Sequence, residues 1–352
     1  MEFRRILVRA TNWVGDAVMC IPTLAEIRRR YPDARITLLA RPWVAGLYDK
    51  SLIDDIIPYT VARGAKDIPA KWRLAQQLKK LNFDCAILLP NSFEAAALVW
   101  AARIPTRIGY ARDGRGLLLS DPITPPKPGE IPNHQRFYYL ELLRRAGLID
   151  RVPEVDAIRL PGIEHLIKQG HAILRQRQLS GDWIGVSPGA AFGSAKRWLP
   201  ERFAAAAIDL ARQTSAGVAI FGSPDERELC ETVRTAISAE GVVVHNFAGE
   251  TKLEEFIAIA ATCAAFLTND SGAMHIAASL DIPTVTVFGA TDHVATGPTG
   301  PFARIVREQV ECSPCLLREC PIDHRCMKAV TAERVVKEAV ELIQLKSARM
   351  RE

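Results

Sequence analysis

Residues 4–40 read RRILVRATNWVGDAVMCIPTLAEIRRRYPDARITLLA, and their pattern decides the fold class. Ile6 to Val8 form a short apolar run, the signature of a buried strand. A polar, Gly-containing loop, Thr11 to Asp16, follows. Val18, Ile21, Leu24, Ala25 and Ile27 then recur at helical spacing, and Ile36 to Ala40 read as a second strand. The same order returns at residue 183. Trp183 to Ser187 is a strand, PGAAFGSAKRW (Pro188 to Trp198) a Gly-rich loop, PERFAAAAIDLARQ a helix with proline in its first turn, and Gly217 to Phe221 the next strand. Apolar runs at Cys85–Leu89, Val242–His245, Ala264–Leu267 and Thr284–Phe288 continue the alternation. Strands alternating with helices predict an α/β chain with parallel sheets covered on both faces.

Working outward, the repeat predicts two Rossmann-like, doubly wound domains, 1–165 and 166–330, facing a central cleft. ITPPKPGEIPNH reads as a proline-rich surface loop and RVPEVDAIRLPGIEH as the connection between domains. Residues 331–352 predict an amphipathic helix capped by Thr331, with Val335, Val336, Ala339, Val340, Leu342 and Ile343 apolar. Ligands in such sheets bind beyond the carboxyl ends of the strands, where loops lead into helix N-termini.

The 352 residues hold 45 Lys plus Arg against 40 Asp plus Glu, a net charge of +5. That balance permits an anionic partner, but no basic–aromatic stripe argues for nucleic acid. No apolar run approaches the roughly 18 residues that span a bilayer. Arg9, Asn12 and Asp16 interrupt the only N-terminal stretch resembling a signal sequence. A soluble, cytoplasmic protein is expected. Eight cysteines are far below the density of a disulfide scaffold.

Five stretches could carry chemistry. In LTNDSGAMHIAASLDIPTVTVFG, a strand runs into Asn269, Asp270, Ser271 and Gly272, and a helix starts near Ala273, with His275 one turn in. The amides of Ser271 to Met274 would point from the helix N-terminus and favour an anion; Asp270 or Ser271 capping the helix is the competing reading. Thr291 and Asp292 follow the next strand. In Pro188–Trp198, Gly189 and Gly193 permit close backbone approach and Lys196 adds a positive charge, unless the loop is merely solvated. Asp16 in NWVGDAV reads as an N-cap or as a cleft-facing general base. In FGSPDERELCE, Asp225, Glu226 and Glu228 could bind a ribose diol or simply enrich a first helical turn in acids. Finally, CSPCLLRECPIDHRC spaces Cys312, Cys315, Cys320 and Cys326 as C-x2-C-x4-C-x5-C. These four could bind a structural zinc or be plain cysteines.

VGDAVMCIPTLAEIR, SPGAAFGSAKRWLPERFA and LTNDSGAMHIAASLDIPTVTVFGATD occur in order. With CSPCLLRECPIDHRCM, they resemble the ADP-heptose:lipopolysaccharide heptosyltransferases of glycosyltransferase family 9 over nearly the whole chain. The cysteine-rich stretch resembles the type that adds the second inner-core heptose. The resemblance implies a GT-B fold, with residues 331–352 crossing back onto the first domain, and inverting transfer that requires no metal cofactor. The donor would be ADP-heptose. The acceptor would be a Kdo–lipid A-type glycolipid carrying one heptose, met at the inner face of the inner membrane. By position, Asp16 matches the catalytic base and Lys196 the leaving-group lysine. Asp270, Ser271, Gly272, Ala273 and His275 match the diphosphate and sugar motif. The loop residues Gly189, Ala190, Ala191 and Ser194, with Glu226 or Glu228 at the ribose and Thr251 near the adenine, complete the implied donor site. Arg28, Arg29, Arg30, Lys79 and Lys80 could favour the anionic acceptor and membrane surface. Heptosyltransferases of the first or third type, another nucleotide-sugar transferase, and a nucleotide-binding protein without activity are the alternatives.

Overall fold

The computed structural model describes residues 2–62, 64 and 66–351. The chain divides into two units, Met1–Val155 and Asp156–Glu352. The division falls inside the predicted connecting stretch, earlier than the boundary expected at residue 165.

The first unit holds six parallel strands: β1 (Arg5–Arg9), β2 (Arg35–Ala40), β3 (Asp55–Pro58), β4 (Cys85–Leu88), β5 (Thr106–Tyr110) and β6 (Asp121–Ile123). Their order across the sheet is β3-β2-β1-β4-β5-β6. Every residue of β4 is buried, as expected of a strand with helices on both faces. The edges are short, and Pro58 and Pro122 sit on them, where a missing N–H breaks no ladder. From β1 the chain winds to β2 and β3, then returns to β4 on the other side. The carboxyl ends of β1 and β4 therefore flank a topological switch point.

One predicted helix is two. Val14–Met19 and Ile21–Arg30 meet at Cys20, with Pro22 in the first turn of the second helix. Proline lacks the N–H that a continuous helix needs and is tolerated only at a helix start. Because the first helix begins at Val14, Asp16 lies within its first turn and Trp13 is the N-cap residue, so the capping reading of Asp16 does not hold. β5, β6 and the helix Gln135–Arg145 have no counterpart among the apolar runs read from the sequence.

The second unit repeats the plan with β7 (Trp183–Ser187), β8 (Gly217–Ile220), β9 (Val244–Asn246), β10 (Cys263–Asn269), β11 (Thr284–Val287) and β12 (Ala303–Val306), all parallel. The order is β12-β11-β10-β7-β8-β9, so its switch point lies between β7 and β10. The C-terminal helix, Ala332–Arg349, packs against the helix Pro200–Thr214 and against β10, β11 and β12. Val335, Val336, Ala339 and Leu342 join Val186, Leu210, Val285 and Val287 in one core. Ala332–Arg349 is therefore a layer of the second unit. Its apolar stripe is used up in covering that sheet.

Candidate functional site

In the second unit, the loop after β7 is stapled at both ends by one side chain. Asn269, the fully buried last residue of β10, accepts a hydrogen bond from the Trp198 amide at 2.9 Å and donates to the carbonyl oxygens of Pro188, at 2.8 Å, and Gly189, at 3.4 Å. A primary amide can do both at once, which few side chains can. Gly189 and Ala190 are buried, whereas Ala191 and Ser194 are exposed. Lys196 closes a short 3-10 turn, Ser194–Lys196.

Lys196 meets the β10 loop directly. Its Nζ lies 2.5 Å from Asp270 Oδ2, and the Thr291 hydroxyl donates to the same oxygen at 2.5 Å. Asp270 is 5% exposed and the Lys196 side chain 13%, so the ion pair sits largely out of water. The helix Gly272–Ser279 begins two residues on. Its N-cap residue Ser271 makes no side-chain cap bond; its hydroxyl pairs instead with the Thr268 hydroxyl at 3.2 Å. The capping reading therefore does not hold for Ser271. Gly272 and Ala273 open the helix, and His275 is buried in its fourth position.

Glu226 and Glu228 separate clearly. Glu226 ends the turn Pro224–Glu226, and its Oε2 accepts from the Ser223 amide and hydroxyl at 2.9 and 3.0 Å. Its carboxylate lies over Gly189, where an added Cβ would come within 2.2 Å of it. A Cβ there would push the flexible end of Glu226 aside, so Gly189 lets the acid lie over the loop after β7. Glu228 and Asp225 are exposed, and Glu228 belongs to the helix Arg227–Ala239; it is not brought to this loop cluster. Thr251 is half-buried after β9, in a turn tied to the Glu226 turn by the Gly249 amide donating to the Gly222 carbonyl at 3.0 Å.

The first unit presents opposite chemistry at its switch point. Buried Arg9, the last residue of β1, donates to the carbonyls of Ala10 and Leu39 and, at 2.8 Å, to Asn12 Oδ1. Trp43 Nε1 donates to the Asn12 carbonyl at 2.9 Å. With the loop pinned, Asp16 Oδ1 accepts from the buried Tyr139 hydroxyl at 3.1 Å. Burial, then the neighbouring Cys20 and Asp16, hold the Tyr139 phenol well above its ordinary range, so it stays a donor at neutral pH. Burial and Asp16 also push the Cys20 thiol up, which keeps it neutral beneath the carboxylate. Burial pulls Arg9 down to about 10, still cationic at neutral pH.

The basic clusters lie elsewhere in the first unit. Arg28, Arg29 and Arg30 end the helix Ile21–Arg30, and Lys79 and Lys80 end Ile68–Lys80. Helices run back against the strands they follow, so both basic clusters lie at the amino-terminal edge of the sheet, away from the Asp16 loop. Arg28 is moreover paired with Asp54 and Arg29 with Glu26. The four clustered cysteines are free thiols, and among the described residues no group of three or more His, Cys, Asp or Glu is arranged to hold a metal ion. Cys326 is buried against Gly289, where a Cβ would lie 2.8 Å from its sulfur; burial, then Cys312, Cys315 and Cys320, push its thiol up.

Tyr139 and Asn269 were not marked by sequence. Nothing local links Tyr139 to Asp16, and Asn269 looks like any polar strand end; Thr291 could be placed near the site only through the strand pattern. Among the described residues no helix is long and apolar enough to cross a membrane.

The family model of glycosyltransferase family 9 (heptosyltransferase) matches residues 71–325. The lipopolysaccharide heptosyltransferase 2 of Salmonella typhimurium is 32% identical over 312 residues, covering 86% of this chain and 88% of that protein. The solved structure of the Escherichia coli ADP-heptose LPS heptosyltransferase II superposes with a TM-score of 0.80 at 29% identity, covering 97% and 99% of the two chains. A family 9 glycosyl transferase from Veillonella parvula shares the fold, with a TM-score of 0.81 at 21% identity over 97% of this chain and 98% of that one.

Proposed function

The chain belongs to glycosyltransferase family 9 and is a glycosyltransferase of GT-B fold; from that premise we propose that it transfers L-glycero-D-manno-heptose from ADP-heptose to the first heptose of the lipopolysaccharide inner core, with inversion and without a metal cofactor. The observation that carries the reading is the buried Lys196–Asp270–Thr291 cluster at the mouth of the helix Gly272–Ser279. In this reading the donor diphosphate takes the place of Asp270 as the anion facing Lys196. As the sugar–phosphate bond breaks, negative charge grows on the departing ADP. Lys196 and the amides of Ser271 to Met274 stabilise it, a task that needs preorganised positive charge where water is excluded. Glu226 over Gly189 receives the ribose diol, and Thr251 lies toward the adenine.

Asp16 is the proposed base. The acceptor hydroxyl loses its proton as it attacks the anomeric carbon, and Asp16 accepts that proton. The protonated Tyr139 hydroxyl fixes the direction of the carboxylate. The acceptor is a Kdo–lipid A-type glycolipid, so the enzyme works in peripheral contact with the inner face of the inner membrane. That contact follows from the chemistry of the acceptor, not from the distant Arg28–Arg30 and Lys79–Lys80 clusters.

The test is transfer from ADP-L-glycero-β-D-manno-heptose, in chelator-treated buffer, to core acceptors carrying one heptose or none. Product on the singly heptosylated acceptor alone is expected. Product only on the acceptor without heptose would reassign the step. Preference for ADP-glucose or a UDP-sugar would reassign the donor, and ADP binding with no transfer to any acceptor would remove the activity.

A further inference from the structure

The cysteine-rich segment after β12 forms no metal cluster among the described residues, yet it is built against the proposed donor site. The Arg318 carbonyl accepts the Ala195 amide at 2.9 Å, and His324 Nε2 donates to the Ala195 carbonyl at 3.1 Å. Both main-chain polar groups of the residue before Lys196 are therefore bound to this segment. Gly193 packs so tightly on it that a Cβ there would lie 2.2 Å from the Arg318 oxygen. The Phe192 ring stands near two cations, Lys196 Nζ at 4.8 Å and the Arg318 guanidinium at 5.2 Å from its centre. The same segment reaches the second partner of Asp270: the Leu316 amide donates to the Ala290 carbonyl at 2.7 Å and the Ser313 hydroxyl to the Gly289 carbonyl at 2.6 Å, next to Thr291.

We infer that residues 313–324 position Lys196, and that His324 is the side chain that fixes the turn carrying it. The inference rests on the reading that Lys196 acts on the donor diphosphate. A lysine has a long, flexible stem, and freezing it costs rotamer freedom. Electrostatic stabilisation of a departing group is strong only if the charge is in place before the bond breaks. Asp270 holds the ammonium, but the backbone from which Lys196 reaches is set by the two bonds to Ala195. His324 takes a left-handed conformation, φ 59°, a region that Asn, Asp and His enter more readily than other side chains.

The test compares His324→Asn, which tolerates that backbone but is too short to reach Ala195, with His324→Gln, whose amide can donate where Nε2 does. His324→Asn is expected to lower kcat about tenfold with the acceptor KM unchanged, and His324→Gln to recover most of it. In a Lys196→Ala background, His324→Asn should cost nothing further, because the two act as one unit. Wild-type kcat in His324→Asn beside an impaired Lys196→Ala would overturn the positioning role and leave Lys196 standing, as would full additivity of the two losses. Wild-type kinetics in Lys196→Ala would instead sink the donor reading itself. Should His324→Asn fail to fold, Phe192→Leu removes the ring beside both cations; a several-fold loss of kcat that vanishes in the Lys196→Ala background is expected, and an unchanged kcat would overturn the inference.

Discussion

The two sheets share one strand order, yet the loops at their switch points are held by opposite means and offer opposite charge. The loop after β1 is pinned from beneath by a buried cation, Arg9, and presents a carboxylate, Asp16. The loop after β7 is pinned by a neutral amide, Asn269, and presents an ammonium, Lys196. Topology chooses where a site can form; the residue types at the strand ends choose what the site does. A carboxylate suits proton removal from an acceptor, and an ammonium beside a helix N-terminus suits a diphosphate.

The sharpest way to break this contrast is at Asp16. Asp16→Asn is expected to lower kcat by about 10²–10⁴-fold while ADP affinity, measured calorimetrically, stays at the wild-type value. Near wild-type turnover would strip Asp16 of its role. Lys196→Ala is expected to behave differently, losing about 10²–10³-fold in kcat and also weakening ADP. If both substitutions left ADP binding intact, the division of labour between the units would be wrong.

The third comparison concerns how the loops are held. Asn269→Ala leaves the Trp198 amide and the Pro188 carbonyl without their buried partner, a loss of about 3 kcal/mol. Scanning calorimetry should show the melting temperature falling by roughly 6–12 °C; an unchanged transition would mean that the loop does not depend on this amide. The smallest effect belongs to the first unit. The hydrogen bond from Arg144 holds the buried Glu141 carboxyl below the usual carboxylate range; burial opposes this and Arg145 assists. A depressed folded pKa means stability that is present above the unfolded value, about 4.3, and is lost as pH falls through the folded one. Glu141→Gln should therefore flatten the acid loss of stability seen by urea titration below that pH. An identical acid slope in both proteins would rule out Glu141 as its source.

Much of this was legible in the chain itself. Alternating periods marked the central strands and the two-part plan, because buried parallel strands leave dense apolar runs. Edge strands such as β3 and β6 were not legible, since at three or four residues with a proline they have no period to read. Asp16, Lys196 and Asp270 could be singled out because loops after strands are where charge is informative. Tyr139 could not, because its hydrogen bond to Asp16 spans 123 residues of sequence. The basic runs at Arg28–Arg30 and Lys79–Lys80 show a related limit: charge counts carry no direction, and both runs end helices, away from the loops at the carboxyl ends of the strands.

The placement of Ala332–Arg349 in the core of the second unit also sets a timetable. All six strands of the first unit have been made once Ile123 is translated, and the unit is complete at Val155. The second must wait for Ala339 and Leu342 before its sheet is covered. During synthesis, which proceeds from the N-terminus, the half bearing the carboxylate can close long before the half bearing the ammonium. A ribosome halted just before the final helix would hold a finished lobe tethered to one that still exposes the interior of its sheet.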